Sequence, residues 1–596
     1  MAEVSGSVWT PLASNAHLLE PVLKRAREAG STPVAAYRAG DKFVDVTAAA
    51  LVDRIRAVAK GLLASGVAAG DRVALMSHTR LEWTVCDYAI LATGGVTVPI
   101  YETSSAEQVR WILSDSEAVM ALVETPAMAA LYQQAADMAP ACREALVIDE
   151  GALDALTARG AALPDADLDA RIAGITVDQL ATIIYTSGTT GRPKGCMLTH
   201  GNLRANVLQS IDAIKGTLGE GAEVTLLFLP LAHVLAKIIS LVCLEWGAKV
   251  CYATDTNHLI EELPMAQPTM VVSVPRVFEK VYNGAEHHAQ ADGKGSIFAK
   301  AANVAIDWST ARAAHKPRPV VGFEHAVFDK LVYGKIRAAF GGHLRFAFSG
   351  GGPLGDRLTH FFNGIGVKIL EGYGLTETSP TLTANRSEAW KPGTVGRPVA
   401  GTTIRIADDG EILAKGPQVF QGYWHNPAAS EDTFVDGFFR TGDVGELDAE
   451  GYLRITGRLK ELIVTAAGKN VAPAPLEDRL RAHPLISQAV VIGDRQPFIA
   501  ALLALDDEAV ATWATEHSQP GKKAADLVGN PELRKTLQLA VDDANSSVSR
   551  AESIRSFVVL PHDLTIDNDE LTPTLKVKRA IVAKRYAEVI EGIYRT

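Results

Sequence analysis

Tyr185-Thr-Ser-Gly-Thr-Thr-Gly-Arg-Pro-Lys-Gly195 is the stretch that decides how this 596-residue chain is interpreted. Its three glycines allow the backbone to come close to a ligand. Four hydroxyl side chains and two cations stand among them, without a carboxylate. The apolar run 180–184 predicts a buried strand before the stretch, and an apolar face from Leu203 to Ile214 predicts a helix after it. A strand, a glycine-rich turn and a helix together favour phosphate binding by backbone N–H groups.

Two other interpretations fit parts of this stretch. A Walker A loop needs Ser or Thr directly after its lysine, but Lys194 is followed by Gly195. A flexible surface loop also fits the glycines and hydroxyls, but it does not need two cations and no acid. The composition therefore favours a site for a polyanion.

A second glycine-rich segment, Ser349-Gly-Gly-Gly-Pro-Leu-Gly355, lies between a predicted strand (344–348) and a predicted helix. The spacing of Gly350, Gly352 and Gly355 formally matches a dinucleotide fingerprint, and Glu371 follows where an acid would bind ribose. A lone match of this kind is weak evidence for NAD or FAD. Either way, the segment predicts that a nucleotide approaches this backbone.

The first stretch resembles the phosphate-binding signature of the acyl-adenylate-forming superfamily, which holds acyl-CoA synthetases, luciferases and peptide-synthetase adenylation domains. The resemblance implies that ATP phosphates are bound there, by Thr186, Ser187, Gly188, Thr189, Thr190, Gly191 and Lys194. It also implies that the turn with Gly351 and Gly352 lies against adenine and the acyl chain.

The segment Glu371-Gly-Tyr-Gly-Leu-Thr-Glu377 resembles the second signature of the same family. The family assigns it to the nucleotide, through Glu371, Gly372, Tyr373, Gly374, Thr376 and Glu377. Tyr373, flanked by glycines, suits stacking on adenine, and Thr376 offers a hydroxyl to the α-phosphate. Glu377 suits Mg²⁺, which prefers carboxylate and phosphate oxygens; the alternative for Glu377 is a solvated surface acid.

Three later motifs keep the family's order. Phe439-Arg-Thr-Gly-Asp443 resembles the ribose-binding element, in which Asp443 would accept from two hydroxyls. Gly457-Arg-Leu-Lys-Glu461 resembles the hinge, which implies that Arg458 reaches the nucleotide and that Lys460 is the pivot. Gly468 matches the glycine that borders the tunnel for coenzyme A in relatives.

Two candidate catalytic side chains complete the set. Leu571-Thr-Pro-Thr-Leu-Lys-Val-Lys-Arg579 resembles the catalytic-lysine motif, although Leu575 stands where many relatives have glycine. That substitution leaves Lys576 and Lys578 as alternatives, and the motif favours Lys576. His233 matches a family histidine near the carboxylate and the thiol channel, or is a satisfied histidine in an apolar stretch.

Composition restricts the classes of function and location. The net charge of −11 argues against a nucleic-acid partner, and the five sparse cysteines suggest free thiols in a reducing compartment. The N-terminus lacks a secretory signal, and the apolar segment 224–246 contains a proline and three ionisable residues that disfavour a membrane span. We expect a soluble, cytoplasmic protein, for which peripheral membrane contact is compatible with an apolar substrate. The sequence carries no signal for an oligomeric state.

The pattern of elements predicts an α/β fold. A large N-terminal domain, 1–459, would hold parallel α/β sheets and a small β-rich subdomain at about 392–456; residues 284–320 would form an exposed insertion. A small α+β C-terminal domain, 460–596, would carry the catalytic lysine and, as in the family, be mobile.

Segments such as Leu229–Val234 and Val274–Lys280 look like those of long-chain fatty acid–CoA ligases. The resemblance implies ATP-dependent formation of acyl-AMP from a fatty acid, with Mg²⁺, and then transfer to coenzyme A. A fatty acyl-AMP ligase that loads a carrier protein, or a CoA ligase for another apolar acid, remains an alternative. A catalytically inactive nucleotide-binding scaffold is opposed by the joint presence of Lys576, Glu377 and Asp443.

Overall fold

The computed structural model of the chain describes residues 2–186, 192–219, 223–255, 258–572 and 575–595. In chain order its strands are β1 Glu3–Ser5, β2 Pro33–Ala39, β3 Lys42–Thr47, β4 Arg72–Met76, β5 Val96–Ile100, β6 Met120–Val123, β7 Ala145–Val147, β8 Leu180–Thr186, β9 Lys194–Thr199, β10 Val224–Leu227, β11 Lys249–Tyr252, β12 Met270–Ser273, β13 Phe346–Ser349, β14 Lys368–Gly374, β15 Thr381–Ala384, β16 Arg397–Pro398, β17 Thr403–Ile406, β18 Glu411–Lys415, β19 Phe434–Val435, β20 Phe438–Leu447, β21 Leu453–Arg458, β22 Ile463–Val464, β23 Asn470–Val471, β24 Ile486–Ile492, β25 Ile499–Leu505 and β26 Ile554–Val559.

The α-helices are α1 Glu20–Glu28, α2 Ala48–Ala64, α3 Leu81–Ala92, α4 Ala106–Ser116, α5 Pro126–Ala135, α6 Ala152–Gly160, α7 Asp165–Ala173, α8 His200–Ile214, α9 Val234–Trp246, α10 Leu259–Ala266, α11 Pro275–Ala291, α12 Gly295–Ala313, α13 Pro319–Phe328, α14 Gly334–Ala339, α15 Asp356–Gly364, α16 Pro427–Asp432, α17 Ala474–Arg481, α18 Asp507–Glu516, α19 Ala524–Leu527, α20 Pro531–Asn545, α21 Arg579–Arg585 and α22 Ala587–Tyr594. Short 3₁₀ turns include Thr376–Thr378 and Leu459–Glu461, and residues Asp329–Tyr333 are π-helical.

Two large sheets form the centre of the N-terminal part. One has the order β16-β15-β14-β13-β12-β10-β11-β2-β3, and the other has the order β7-β6-β4-β5-β8-β9. In the first sheet, neighbouring strands are parallel from β14 to β2 in the order given, and in the second sheet they are parallel from β7 to β8. The remaining neighbours in both sheets pair antiparallel. The predicted parallel α/β sheets are therefore confirmed.

A third sheet has the order β1-β17-β18-β20-β19, with β21 paired to β20, and forms the β-rich part of the fold. Sequence analysis missed that β1, from the N-terminus, extends it by pairing with β17. The C-terminal residues form the hairpin β22–β23 and the sheet β24-β25-β26, with an apolar core of their own that includes Leu476, Leu503 and Phe557. The α/β fold with a small C-terminal unit is thus as expected.

The apolar segment 224–246 forms the strand β10 and the helix α9. Lys237 of α9 is 1% exposed, and its ammonium lies 2.6 Å from both carboxylate oxygens of Asp87 on α3. Among the described residues, no helix combines the length and the apolarity needed to cross a bilayer.

One local prediction was wrong. The segment 284–320 was expected to be an exposed insertion, but α12 within it buries Phe298, Ala301 and Ala305 against the core. Strand β5 continues through Pro99 to Ile100. A proline is tolerated there because β5 pairs with β8 only at Thr97, so that Pro99 lies beyond that pairing.

Candidate active site

The glycine-rich stretch joins two antiparallel strands. β8 pairs with β9 in a register that sets Tyr185 opposite Gly195 and Thr186 opposite Lys194. The expectation that the helix follows the turn directly was therefore wrong, because β9 comes between the turn and α8. The expected phosphate ligands Ser187, Gly188, Thr189, Thr190 and Gly191 lie outside the described residues.

The base of this hairpin is fixed to neighbouring elements. The Tyr185 hydroxyl donates to Asp115 Oδ2 at 2.6 Å, and the Trp424 amide N–H donates to the Gly195 carbonyl at 2.8 Å. A Cβ at Gly195 would lie 2.7 Å from the side chain of Ile183, which explains the glycine. The hairpin thus holds Thr186 and Lys194 at a defined place.

Tyr423 links the hairpin to the second predicted motif. The Lys194 ammonium lies 5.0 Å from the centre of the Tyr423 ring, and the Tyr423 hydroxyl donates to Glu377 Oε1 at 2.9 Å. Glu377 and Thr376 are half-buried in the 3₁₀ turn that follows β14. Lys194 and Glu377, 183 positions apart in the sequence, therefore meet across one aromatic ring.

Sequence analysis missed Tyr423. The only available signal was its place in Gln421-Gly-Tyr-Trp424, an aromatic pair after a glycine that resembled no motif we used. Its role becomes visible only because the segment pairs with β9, through a bridge between Tyr423 and Cys196.

Asp443 lies between two partners from distant segments. Its carboxylate is 4% exposed and accepts from the Tyr373 hydroxyl at 2.7 Å and from Arg458 Nε at 2.7 Å. Burial, together with Asp443, raises the pKa of Tyr373, so this hydroxyl stays protonated. Burial opposes the charge of Arg458, but the Asp443 carboxylate outweighs it and raises the pKa of Arg458. These three predicted residues are therefore brought together.

Glu371 faces the glycine turn. The Leu354 amide N–H donates to Glu371 Oε1 at 3.1 Å, and burial raises the pKa of Glu371 to about 7. Gly351 adopts a φ of +82° in the turn, which explains the absence of a side chain there. The carboxylate thus supports the turn at the start of α15, which departs from the ribose contact of a dinucleotide site.

The glycines around Tyr373 have packing roles. A Cβ at Gly374 would lie 1.7 Å from the Pro380 carbonyl oxygen, and one at Gly372 would lie 3.2 Å from the Thr383 carbonyl oxygen. Both glycines let β14 approach the chain next to it. Gly352 has more room, because the nearest described atom to a Cβ there would be in the Pro275 ring, at 3.8 Å.

Lys576 of the C-terminal unit lies beside the glycine turn of the N-terminal unit. Its Cε is 4.0 Å from where a Cβ on Gly351 would stand. Loss of solvation around its ammonium is the main cause that lowers the pKa of Lys576, and the nearby Arg458 guanidinium is the second. The residue nevertheless keeps exposed surface. Lys578 instead forms an ion pair with Asp569 within its own unit. Of the two lysines, Lys576 is the one at the site.

Lys576 and His233 line a small cavity of about 20 Å³, which holds a water-sized group but no acyl chain. The remaining lining residues are Leu229, Pro230, Leu235, Val274 and Gly351. His233 precedes α9, and its Nδ1 accepts from the Leu235 amide N–H at 3.1 Å. Burial and Lys576 lower the pKa of His233 to about 3, so the ring is neutral and carries its proton on Nε2.

Direct contacts join the two units around this cavity. Arg276 Nη2 lies 3.5 Å from Asp506 Oδ2, and an Arg357 Nη2–H donates to the Ala482 carbonyl at 3.1 Å. Both arginines belong to the N-terminal part and both partners to the C-terminal unit. These contacts hold the C-terminal unit where Lys576 reaches the cavity.

Two predicted residues lie apart from this cluster. Lys460 is in the 3₁₀ turn that connects β21 to β22, between the two units. Gly468 has a φ of +77° and lies on the exposed turn between β22 and β23. No described atom outside its own chain neighbours lies within 4 Å of where its Cβ would be, so no tunnel wall stands beside it in this arrangement.

Comparison with known proteins adds a second line of observation. A family model described as AMP-binding enzyme matches residues 23–424, and one described as AMP-binding enzyme C-terminal domain matches residues 460–596. The long-chain-fatty-acid–CoA ligase FadD15 of Mycobacterium tuberculosis is 53% identical over 556 residues, which cover 93% of this chain and 92% of that protein.

Solved structures share the fold. The adenylation domain of a carboxylate reductase from Mycobacterium chelonae superposes with a TM-score of 0.76 at 22% identity, covering 97% of this chain and 91% of that one. ATP-bound MatB from Rhodopseudomonas palustris gives a TM-score of 0.70 at 24% identity, covering 96% and 99%.

Proposed function

The chain belongs to the AMP-binding enzyme family, and we propose that it is a long-chain fatty acid–CoA ligase that uses ATP. The observation that carries this proposal is the meeting of Lys576, Gly351 and His233 at one cavity, from three distant segments. The 53% identity to FadD15 over nearly the whole length supports a fatty acid as the substrate.

In the first half-reaction, an oxygen of the fatty acid carboxylate attacks the α-phosphorus of ATP. A bond from that oxygen to phosphorus forms, the bond between the α-phosphorus and the bridging oxygen breaks, and pyrophosphate leaves. Because both reactants are anionic, catalysis depends on neutralising charge and on positioning. Lys576 supplies positive charge beside the cavity. Lys194 supplies positive charge at the base of the hairpin, which binds the leaving phosphates.

The nucleotide is held by residues on several elements. Asp443 accepts from the ribose hydroxyls, and the hydrogen bond from Arg458 holds this carboxylate in place. Tyr373, whose hydroxyl is already bonded to Asp443, presents its ring to adenine, next to the turn of Gly351 and Gly352.

Mg²⁺ would be held by Glu377, with Thr376 beside it at the α-phosphate. Among the described residues no group of three acidic, histidine or cysteine side chains could enclose a metal, which fits an ion held by one carboxylate and phosphate oxygens. Such an ion would supply further positive charge to the phosphates. The Tyr423 hydroxyl orients the Glu377 carboxylate for this role.

In the second half-reaction, the thiol of coenzyme A attacks the acyl carbon of acyl-AMP. A carbon–sulfur bond forms, the carbon–oxygen bond to AMP breaks, and the thiol proton passes to solvent. We propose that the domain 460–596 turns about Lys460 on the domain 1–459, so that Lys576 leaves and Gly468 borders the thiol path. His233, as a neutral donor through Nε2, positions the carboxylate rather than transferring a proton.

The test is a pyrophosphate-release assay over fatty acids of graded length, with and without coenzyme A. We expect release with long-chain acids and sustained formation of acyl-CoA and AMP when coenzyme A is present. No release with any acid would contradict the proposal. Transfer to a carrier protein but never to free coenzyme A would favour a fatty acyl-AMP ligase.

The cysteines support a cytoplasmic location for this enzyme. All five are free and buried, which suits a reducing compartment. Export of active enzyme into an oxidising compartment, detected by fractionation, would argue against it.

A further inference from the structure

An apolar stripe is exposed on α13 and the π-helical turn that follows it. Val320, Phe323, Val327 and Leu331 are 74%, 73%, 41% and 59% exposed. Their spacing of three, four and four residues puts them on one face of the helix. An apolar face of a helix ordinarily packs against a core, but this one lies at the surface.

The opposite face of α13 is firmly packed. The His325 ring stacks on Trp308 at 4.2 Å, and its Nε2–H donates to the Gly364 carbonyl at 2.6 Å. In the π-helical turn, the Tyr333 hydroxyl donates to the Ala301 carbonyl at 2.7 Å. The exposed stripe is therefore held at a fixed place on the surface.

Positive charge surrounds the stripe, although the whole chain has a net charge of −11. Residues 295–339, which comprise α12 to α14, contain seven Lys and Arg against three Asp and Glu. Lys316, Arg318 and Lys330 are exposed, and none of them forms an ion pair with a described carboxylate. A surface with this local charge attracts an anionic partner.

We propose that this surface, which we call the α13 surface, docks onto an anionic lipid bilayer. It consists of the stripe Val320, Phe323, Val327 and Leu331 and the cations Lys316, Arg318 and Lys330. Interfacial helices bind by inserting an apolar face at the headgroup boundary while basic residues pair with anionic lipids. The combination of stripe and charge favours lipid over a protein partner, whose interface core is depleted of charge.

The α13 surface is connected to the candidate active site through two helices. α12, which packs against α13, approaches α15 so closely that a Cβ at Gly364 would lie 2.2 Å from the Ala305 carbonyl oxygen. α15 begins directly after the turn of Gly351 and Gly355. Lipid binding itself does not rest on the proposed function. The benefit of docking for catalysis does rest on it, because fatty acids partition into bilayers.

The first experiment measures flotation with vesicles of phosphatidylcholine, with or without phosphatidylglycerol at about one third of the lipid. We expect Phe323→Ser combined with Leu331→Ser to weaken binding to the mixed vesicles by about tenfold or more. Matched controls are Leu539→Ser and Ile260→Ser, at residues that are 67% and 68% exposed elsewhere, and they should bind as wild type does. Equal losses in controls and stripe variants would overturn the proposal.

The second experiment tests the charge. Exchanging Lys316, Arg318 and Lys330 for Glu should remove the preference for phosphatidylglycerol, and added salt should have the same effect on wild type. Wild-type protein that does not float with either vesicle overturns the proposal. If the stripe variants instead dissociate a dimer in sedimentation velocity, the surface is a contact between two copies and the proposal is wrong.

A third measurement separates docking from the proposed function. Pyrophosphate release from a short, water-soluble fatty acid should be the same in wild type and variants, because the α13 surface lies outside the candidate active site. Release from a long-chain acid delivered in anionic vesicles should fall in the stripe variants but not in the control variants Leu539→Ser and Ile260→Ser. Flotation without activation of any acid would refute the proposed function and leave docking intact.

Discussion

A specific prediction about stability follows from the buried ion pair of Lys237 and Asp87. The two side chains are 1% and 3% exposed, and the ammonium lies 2.6 Å from both carboxylate oxygens. Lys237→Met removes the cation and leaves the Asp87 carboxylate buried without compensation. We expect the free energy of unfolding to fall by about 3–5 kcal/mol.

This free energy corresponds to a measurable change of the melting temperature. A cooperative unit of about 400 residues, the length of the matched N-terminal family model, has an unfolding entropy of about 0.8 kcal/mol/K near its midpoint. The expected loss therefore lowers Tm by about 4–6 °C. Thermal unfolding followed by circular dichroism measures it directly.

A matched control uses a half-buried lysine of the same domain. Lys249 lies 2.9 Å from Asp45, but the two side chains are 27% and 45% exposed. Lys249→Met should cost at most about 1 kcal/mol. The double variant Asp87→Leu with Lys237→Met should be less destabilised than the two single changes added together, since it leaves no unpaired charge. A Tm change for Lys237→Met no larger than that for Lys249→Met would refute the reasoning.

Three further predictions concern the proposed chemistry. Lys576→Ala should slow acyl-AMP formation by about 100-fold or more yet largely spare thioester formation from supplied acyl-AMP; equal loss of both half-reactions contradicts the assigned role. Lys460→Pro should leave ATP–pyrophosphate exchange near the wild-type rate while blocking acyl-CoA formation, and loss of the exchange would count against a hinge. Burial raises the pKa of Glu371 to about 7, so the folded state retains a proton that the unfolded state releases near pH 4.5. Wild type should therefore lose up to about 3 kcal/mol of stability relative to Glu371→Gln as the pH rises from about 4.5 through 7, which denaturant titrations at several pH values measure; parallel pH profiles would contradict it.

Helices and strands with a clear periodicity of apolar residues were predictable from the sequence. The α/β fold was predicted because strands such as Arg72–Met76 and Thr403–Ile406 are short runs between turn residues. Strand β9 was missed because Lys194–Thr199 is a short mixed run whose register is set by its partner β8, which local pattern cannot show. The burial of α12 was missed for a similar reason, since its alanines become core only against α15.

Sequence motifs predicted the residues of the candidate site but not the contacts between them. Asp443, Tyr373 and Arg458 were named from separate segments, but the contact of Asp443 with Arg458 depends on the pairing of β20 with β21, and its hydrogen bond from Tyr373 comes from β14. The support given by Glu371 to the glycine turn was not foreseen, because the sequence suggested a contact with ribose. Tyr423 escaped notice since it acts through neighbours more than 40 positions away.

The loop that carries Lys576 has a consequence for the speed of turnover. The Thr572 amide N–H donates to the Lys576 carbonyl at 2.8 Å, the Lys576 amide N–H donates to Thr572 Oγ1 at 3.0 Å, and Leu571 bridges to Val577. Because these hydrogen bonds fix its backbone within the C-terminal unit, Lys576 leaves the cavity only when the whole unit moves. Such a large body is slowed by solvent friction, so kcat should decline with added viscogen whenever this movement limits the rate.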